Sequence, residues 1–268
     1  MGEKVRGNLV IIGGAEDKKG ECKILRKVVE LSGGKNSCMV ILTTATEHPE
    51  EVGREYRRIF ERIGVGETNV INIDSRRDAW REDYIKIIKN ATCVFFTGGD
   101  QLRITSILGG TPVYSILHEL YMEGVPIVGT SAGASAMSSP MIVDGNSSDT
   151  PRKNTISMAP GLGLLKDVVI DQHFAQRGRI GRLLTAIAQN PYILGIGIDE
   201  DTAIIVTPDQ CFQVIGSNAV TVLDGRNLSH TNVSELKPNE TLALTDVVIH
   251  ILPNGYGFDL NNRKPLIF

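Results

Sequence analysis

Short apolar runs alternate with amphipathic segments along most of this chain, and no other property of the sequence limits its fold so narrowly. Leu9–Ile12, Met39–Leu42, Val70–Ile73, Val94–Phe96 and Pro126–Val128 read as strands. Leu9–Ile12 and Met39–Leu42 contain no polar residue, the pattern of a strand covered on both faces. Helical segments lie between them. Glu21–Leu31 carries Leu25, Val28 and Val29 at helical spacing. Pro49 opens a helix that gathers Val52, Tyr56, Ile59, Phe60 and Ile63 on one face and Arg54, Arg57, Arg58 and Glu61 on the other. Helices at Leu102–Leu108 and Val113–Met122, a strand at Val168–Ile170, a helix over Arg179–Gln189 and strands at Ile196–Ile198 and Ala203–Val206 continue the alternation. This predicts the α/β class: a mainly parallel sheet with helices on both faces, hence three layers.

The C-terminal third turns to strands alone, at Phe212–Ile215, Val220–Leu223 and Val247–Leu252, separated by turn signals such as Asp224-Gly225 and Asn254-Gly255. An antiparallel extension of the sheet is expected there. Ser147–Asn154 is polar and loop-like but short. With no linker, repeat or low-complexity stretch, one domain over residues 1–268 is expected.

Charge narrows the function. The chain has 28 Lys+Arg against 31 Asp+Glu and a formal net charge of −3. A generic nucleic-acid binder would show a basic excess. The 41% hydrophobic content excludes a disordered chain. Cys22, Cys38, Cys93 and Cys211 form neither a C-x-x-C pair nor a zinc-ligand spacing, so buried reduced thiols and no metal are expected. Met1–Arg6 leads into the first strand without the apolar stretch of a secretion signal, and no run approaches membrane-spanning length. A cytoplasmic protein is expected, with no membrane or nucleic-acid partner.

Glycine is in excess, at 28 of 268 residues against a usual share of ~7%, and several glycines end predicted strands. Gly129-Thr130-Ser131-Ala132-Gly133 matches G-x-S-x-G, a strand–turn–helix elbow that exposes a serine hydroxyl. The strand-like Val125–Val128 precedes it, and the small residues Ala134–Met137 follow. A serine nucleophile needs a base. Of the five histidines, His118 is expected to pack within a helix, His48 and His230 to lie in surface loops, and His250 to sit in an alternating strand. His173 stands at the carboxyl end of the Val168–Ile170 strand, where open α/β sheets gather ligands. Asp199-Glu200-Asp201 follows Ile196–Ile198 at another carboxyl end and offers the carboxylate that orients a base. The order Ser, His, acid departs from the Ser, acid, His order of the α/β-hydrolase fold.

Two further features suit an anionic intermediate and an acidic substrate. Thr97-Gly98-Gly99-Asp100-Gln101 ends a strand in bare backbone, so the N–H groups of Gly98 or Gly99, with that of Ala132, are candidates for an oxyanion hole. Arg177, Arg179 and Arg182 crowd a helix start, against the macrodipole, which asks for a nearby anion. Gly13-Gly14 also ends a strand but does not fit G-x-G-x-x-G, so a dinucleotide site is not expected.

Gly13–Lys18, Thr97–Gln101, Gly129–Ala134, Asp171–Phe174 with Arg177, Arg179 and Arg182, and Gly197–Glu200 occur in an order that resembles the cyanophycinase family of serine peptidases, which also holds aspartyl dipeptidases. The resemblance runs from residue 13 to about residue 200. It implies a class I glutamine amidotransferase-like (flavodoxin-like) fold, a triad of Ser131, His173 and Glu200, no cofactor, and a homodimer. It also implies a substrate: cyanophycin, a poly-aspartate whose side chains carry arginine, cleaved by an exopeptidase to β-aspartyl-arginine. On that pattern Gln101, Asp171, Gln172, Arg177, Arg179 and Arg182 line the substrate pocket, with arginines meeting carboxylates and Asp171 meeting a guanidinium. An aspartyl dipeptidase, or a non-catalytic binding module on the same fold, is the alternative reading.

Overall fold

The strand Leu9–Ile12 (β1) is buried at every position and lies in the middle of a nine-stranded sheet. In this computed structural model, which describes residues 7–145 and 150–267, it is followed in chain order by Cys38–Leu42 (β2), Glu67–Ile71 (β3), Cys93–Phe96 (β4) and Ile127–Thr130 (β5). These five pair in parallel in the order β1, β5, β4, β2, β3. On the other side of β1 the pairing becomes antiparallel, through Thr202–Val206, Cys211–Gly216, Tyr256–Asp259 and Lys264–Ile267.

Alternation along β1 divides the apolar interior. Val10 and Ile12 face the helices Lys23–Ser32 (α1) and Pro49–Ile63 (α2), which contribute Leu25, Val28, Tyr56 and Phe60. Leu9 and Ile11 face a larger cluster fed by Glu82–Lys89 (α3), Gln101–Leu108 (α4), Pro112–Glu123 (α5) and Ala132–Met137 (α6). The helix ends follow local chemistry. Helix α2 begins at Pro49 with Glu50 and Glu51 in its first turn, and α5 begins at Pro112 with the Thr111 side chain accepting the Tyr114 N–H.

The expected mainly parallel α/β architecture with an antiparallel C-terminal part is present, with one addition. Val168–Gln172 and Leu194–Ile198 pair in parallel in a separate six-stranded sheet, flanked by Ala219–Asp224 and Val248–Pro253. Ile170 and Ile196 fill the same apolar cluster as Leu9 and Ile11, while Val169 meets Leu183 and Ile187 of the helix Ile180–Gln189 (α7). The strand bearing His173 therefore faces the elbow across a shared interior.

Smaller departures have local causes. β3 starts at Glu67, ahead of the expected Val70, because it is a sheet edge and its first four positions are exposed or only partly buried. Polar residues there mask any period. Helix α3 escaped the apolar pattern because Ile88 is its single buried residue. Ser147–Asn154 lies partly outside the described residues; its flanks Met141–Gly145 and Ile156–Ala159 pair as an antiparallel hairpin.

Candidate active site

Ser131 leaves β5 and immediately precedes α6, with φ 53° and ψ −113°. Such a conformation costs about 1–3 kcal/mol at a non-glycine residue and persists only when its surroundings hold it. Here the Ser131 N–H donates to the Ile12 carbonyl at 3.0 Å, and its own carbonyl accepts from Ala134 and Ser135. Both glycines of the pentapeptide are required by close approach. A Cβ on Gly129 would lie 2.5 Å from the Gly133 carbonyl, and one on Gly133 would lie 2.7 Å from the Phe96 Cβ.

His173 turns out of its strand at φ 47°, with its N–H on the Gly13 carbonyl at 2.8 Å. Its Nε2 lies 3.0 Å from Ser131 Oγ, and its Nδ1 lies 2.6 Å from Glu200 Oε1. With Nδ1–H donating to the carboxylate, Nε2 is left to accept the serine proton. Burial, chiefly, holds this imidazole below the ordinary histidine range; the Glu200 hydrogen bond opposes that, and the positive Arg177 and Arg179 add to it. A neutral, proton-accepting ring at neutral pH is the result.

Of the three consecutive acids, Glu200 is the one that reaches His173. Asp199 accepts the N–H groups of Ala175 and Ala219, and Asp201 accepts from Asp17 N–H and Ser217 Oγ. Glu200 is held on both sides of its peptide: its N–H donates to Gln176 Oε1 at 3.0 Å, and Asn218 Nδ2 donates to its carbonyl at 2.8 Å.

Gly98 lies against the elbow, where an added Cβ would sit 3.2 Å from the Ser131 Cβ. Gly99 has φ 142°, and a side chain there would strike the Ala45 carbonyl at 2.1 Å. Ala132 opens α6. Among the described residues the N–H groups of Gly98, Gly99 and Ala132 donate to no backbone carbonyl outside regular structure. They are therefore free to serve an external oxygen.

The arginine cluster is organised differently from the sequence expectation. Asp171 has no exposed surface, so it does not face a guanidinium from solvent. Arg182 grips it side-on with one guanidinium edge, Nε to Oδ2 at 2.7 Å and Nη2 to Oδ1, and Arg179 Nη1 adds a contact at 3.3 Å. The anion that a crowded helix start requires is thus internal. Arg182 is also buried, with its Nε and Nη2 both on this carboxylate. Arg179 donates in addition to the Gln172 carbonyl, while its Nε is buried without a partner. Burial, reinforced by the neighbouring Arg182 and Arg177 charges, pushes Arg179 down to about 10. Arg177 is exposed. Gln172 Oε1 lies 3.4 Å from Ser131 Oγ. Gln101 is nearly buried, and its Nε2 donates to the carbonyls of Ile142 and Val143, tying the Met141–Gly145 strand to the start of α4.

Sequence reasoning includes Gly13–Lys18 in the resemblance but gives no role to the segment, which assembles these parts. The carbonyls of Ile12, Gly13 and Gly14 receive the N–H groups of Ser131, His173 and Asp201 in turn. Gly14 has φ 99°, and a Cβ there would lie 2.5 Å from the His173 ring. The signal was present as a second glycine pair ending a strand. The other histidines sit apart: His118 Nε2 contacts the Leu162 carbonyl, His250 packs on Phe258, and His48 and His230 are exposed. A cavity of about 500 Å³ lined by His118, Lys166, Arg226 and Arg263 opens at the opposite end of the Val168–Gln172 strand and shares no residue with this constellation.

Known proteins are similar to this chain over nearly its whole length. A cyanophycinase from Geminocystis herdmanii is 36% identical over 267 residues, covering 99% of this chain and 98% of the relative. One from Trichormus variabilis is 39% identical over 259 residues, 96% of this chain and 87% of the relative. The crystal structure of a peptidase from an acI-B1 Actinobacterium superposes with a TM-score of 0.66 over 93% of this chain and 99% of that one, at 21% identity, a likeness of fold. Among the described residues no helix is long and apolar enough to cross a membrane. Residues 9–214 match peptidase family S51, and with these relatives the chain belongs to that family of peptidases.

Proposed function

We propose that this chain is a serine exopeptidase that cleaves the poly-aspartate backbone of cyanophycin to β-aspartyl-arginine dipeptides. The observation that carries the reading is the continuous relay from Ser131 Oγ to His173 Nε2, and from His173 Nδ1 to Glu200, in steps of 3.0 and 2.6 Å. In the proposed reaction His173 takes the hydroxyl proton as Ser131 attacks the scissile carbonyl. Glu200 holds the ring in the Nδ1–H tautomer and stabilises the imidazolium. The N–H groups of Gly98, Gly99 and Ala132 meet the developing oxyanion, each such donor worth ~3–4 kcal/mol. His173 then protonates the leaving amine, and a water deprotonated by His173 releases the acyl-enzyme. No metal or organic cofactor enters this scheme.

The substrate assignment is supported by the cyanophycinase relatives, at 36–39% identity over nearly the whole chain. The arginine-bearing polymer offers carboxylates and guanidinium groups. Arg177, exposed, suits the carboxylates, and Arg179, buried and pinned to Asp171, adds positive charge behind it. Gln172, whose carbonyl accepts from Arg179 and whose Oε1 lies 3.4 Å from Ser131 Oγ, borders the nucleophile, and Gln101 joins the proposed pocket through the start of α4. Asp171 and Arg182 act from beneath, by holding Arg179 in place. One domain over 1–268 is supported by an apolar cluster that runs from Leu9 to Phe258 through both sheets. A cytoplasmic homodimer without a nucleic-acid partner completes the proposal. Ile249 and Ile251, exposed on the edge strand Val248–Pro253, favour self-association, and the net charge of −3 disfavours nucleic acid.

The test is incubation with insoluble cyanophycin and mass spectrometry of the products. β-Aspartyl-arginine is expected from the wild type and not from Ser131→Ala. Hydrolysis retained by Ser131→Ala removes the serine mechanism. Cleavage of simple Asp-X dipeptides without release of β-aspartyl-arginine points instead to an aspartyl dipeptidase. Light scattering at twice the 29.1 kDa chain mass would mark the dimer.

A further inference from the structure

A buried carboxylate that the proposed chemistry does not use lies beside the elbow. Glu16 is 4% exposed. Its Oε1 accepts from the Tyr56 hydroxyl at 2.5 Å and its Oε2 from Thr130 Oγ1 at 2.7 Å. Both oxygens are thus met by hydroxyls rather than by a cation. Burial, and then the negative charge of Glu16, push the Tyr56 phenol well above its ordinary range, so Tyr56 stays a donor. Desolvating a carboxylate against two hydroxyls is unfavourable compared with an apolar side chain of the same volume. What the arrangement supplies is a fixed point on Thr130, the residue before Ser131.

That fixed point completes a brace. Within five residues, the carbonyls of Ile12, Gly13 and Gly14 take the N–H groups of Ser131, His173 and Asp201, and the Glu16 side chain takes Thr130. Ser131 is therefore tied to one short segment from both sides of its amino-terminal peptide: by its own N–H and by the preceding side chain. A residue at φ 53° needs such over-determination to remain there. We propose that Glu16 is a positioning residue for Ser131: acting through Thr130, it fixes the strand end from which the elbow turns and so holds Oγ at 3.0 Å from His173 Nε2. The proposal rests on Ser131 being the nucleophile.

The test compares Thr130→Val, Thr130→Ser, Glu16→Leu and Ser131→Ala in the full chain. It reads cyanophycin turnover, the rate of fluorophosphonate labelling and the melting temperature. Labelling reports attack by Oγ without substrate binding. Thr130→Val removes the hydroxyl at nearly constant shape and is expected to lower turnover and labelling roughly 10- to 100-fold, the cost of a misplacement on the order of 1 Å, with KM little changed. Thr130→Ser restores the donor and is expected to return both rates to near wild type. Wild-type labelling by folded Thr130→Val overturns the proposal. If Thr130→Val does not fold, Glu16→Leu, which removes both carboxylate acceptors, takes its place, with the same expected loss and the same refuting result. Ser131→Ala keeps the two readings separate. Hydrolysis surviving in that variant removes the nucleophile assignment itself, whereas its loss alongside a fully active Thr130→Val removes only the role of Glu16.

Discussion

Replacing Gly14 by alanine would place a methyl carbon 2.5 Å from both Cε1 and Nε2 of His173, at a backbone φ of 99°. Carbon atoms pack best at ~3.5–4.0 Å, so the ring must retreat by roughly 1 Å or the segment must shift by as much. Neither adjustment is free. The ring is held on its far side by Glu200 at 2.6 Å, and Gly14 is held by Asp201 N–H at 2.9 Å and by its neighbour's bond to His173 N–H. A displacement of that size at the base costs about 10²-fold in rate, or ~2.7 kcal/mol of transition-state stabilisation. The assay is turnover of cyanophycin together with fluorophosphonate labelling, on Gly14→Ala, His173→Ala and the double variant. If the methyl acts through the ring, Gly14→Ala loses about two orders of magnitude alone and nothing further in the His173→Ala background. Full activity in Gly14→Ala, or a loss that multiplies with that of His173→Ala, would refute the argument that this glycine exists to admit the imidazole.

Two other outcomes follow from the electrostatics. His173 must be neutral to accept a proton, so kcat/KM rises with pH through its folded-state value, which burial and the arginines hold below the ordinary range; Arg177→Gln removes one depressing charge and is expected to move that acid limb to higher pH, and an unmoved pH–rate profile would separate Arg177 from the base. Asp171→Asn leaves Arg179 and Arg182 buried without their counter-charge, and is expected to cost about 3–5 kcal/mol of stability; an unchanged urea midpoint would show that the pair is hydrated or compensated elsewhere.

The legible and illegible parts of this molecule divide along the range of the interactions involved. Leu9–Ile12 and Met39–Leu42 announce buried strands because burial on both faces leaves a continuous apolar run. Helix α2 announces itself because a single face is buried. Glu67–Asn69 and α3 do not, since an edge strand and a thinly buried helix are free to be polar. Gly129, Ser131 and Gly133 are recognisable because the elbow's tight packing admits little else, and Gly98 and Gly99 because bare backbone needs glycine. Asp171 looked like a pocket residue because its distance to Arg182, eleven positions along the chain, depends on how α7 docks against its strand.

The sequence by itself determined the class of fold, the elements that carry chemistry, and the residue types at the ends of those elements. These are short-range consequences of side-chain periodicity and of where a Cβ can stand. Only the tertiary structure decided that the His173 strand belongs to a second sheet facing the first, that Asp199 and Asp201 are turned to other partners while Glu200, the acid the resemblance implies, meets the imidazole at 2.6 Å, that Asp171 neutralises arginines inside the protein, and that Ile12–Glu16 joins the parts. Each of these is a hydrogen bond or ion pair between segments distant in the chain. Its partner is chosen by how layers pack, and no local pattern of residues encodes that choice.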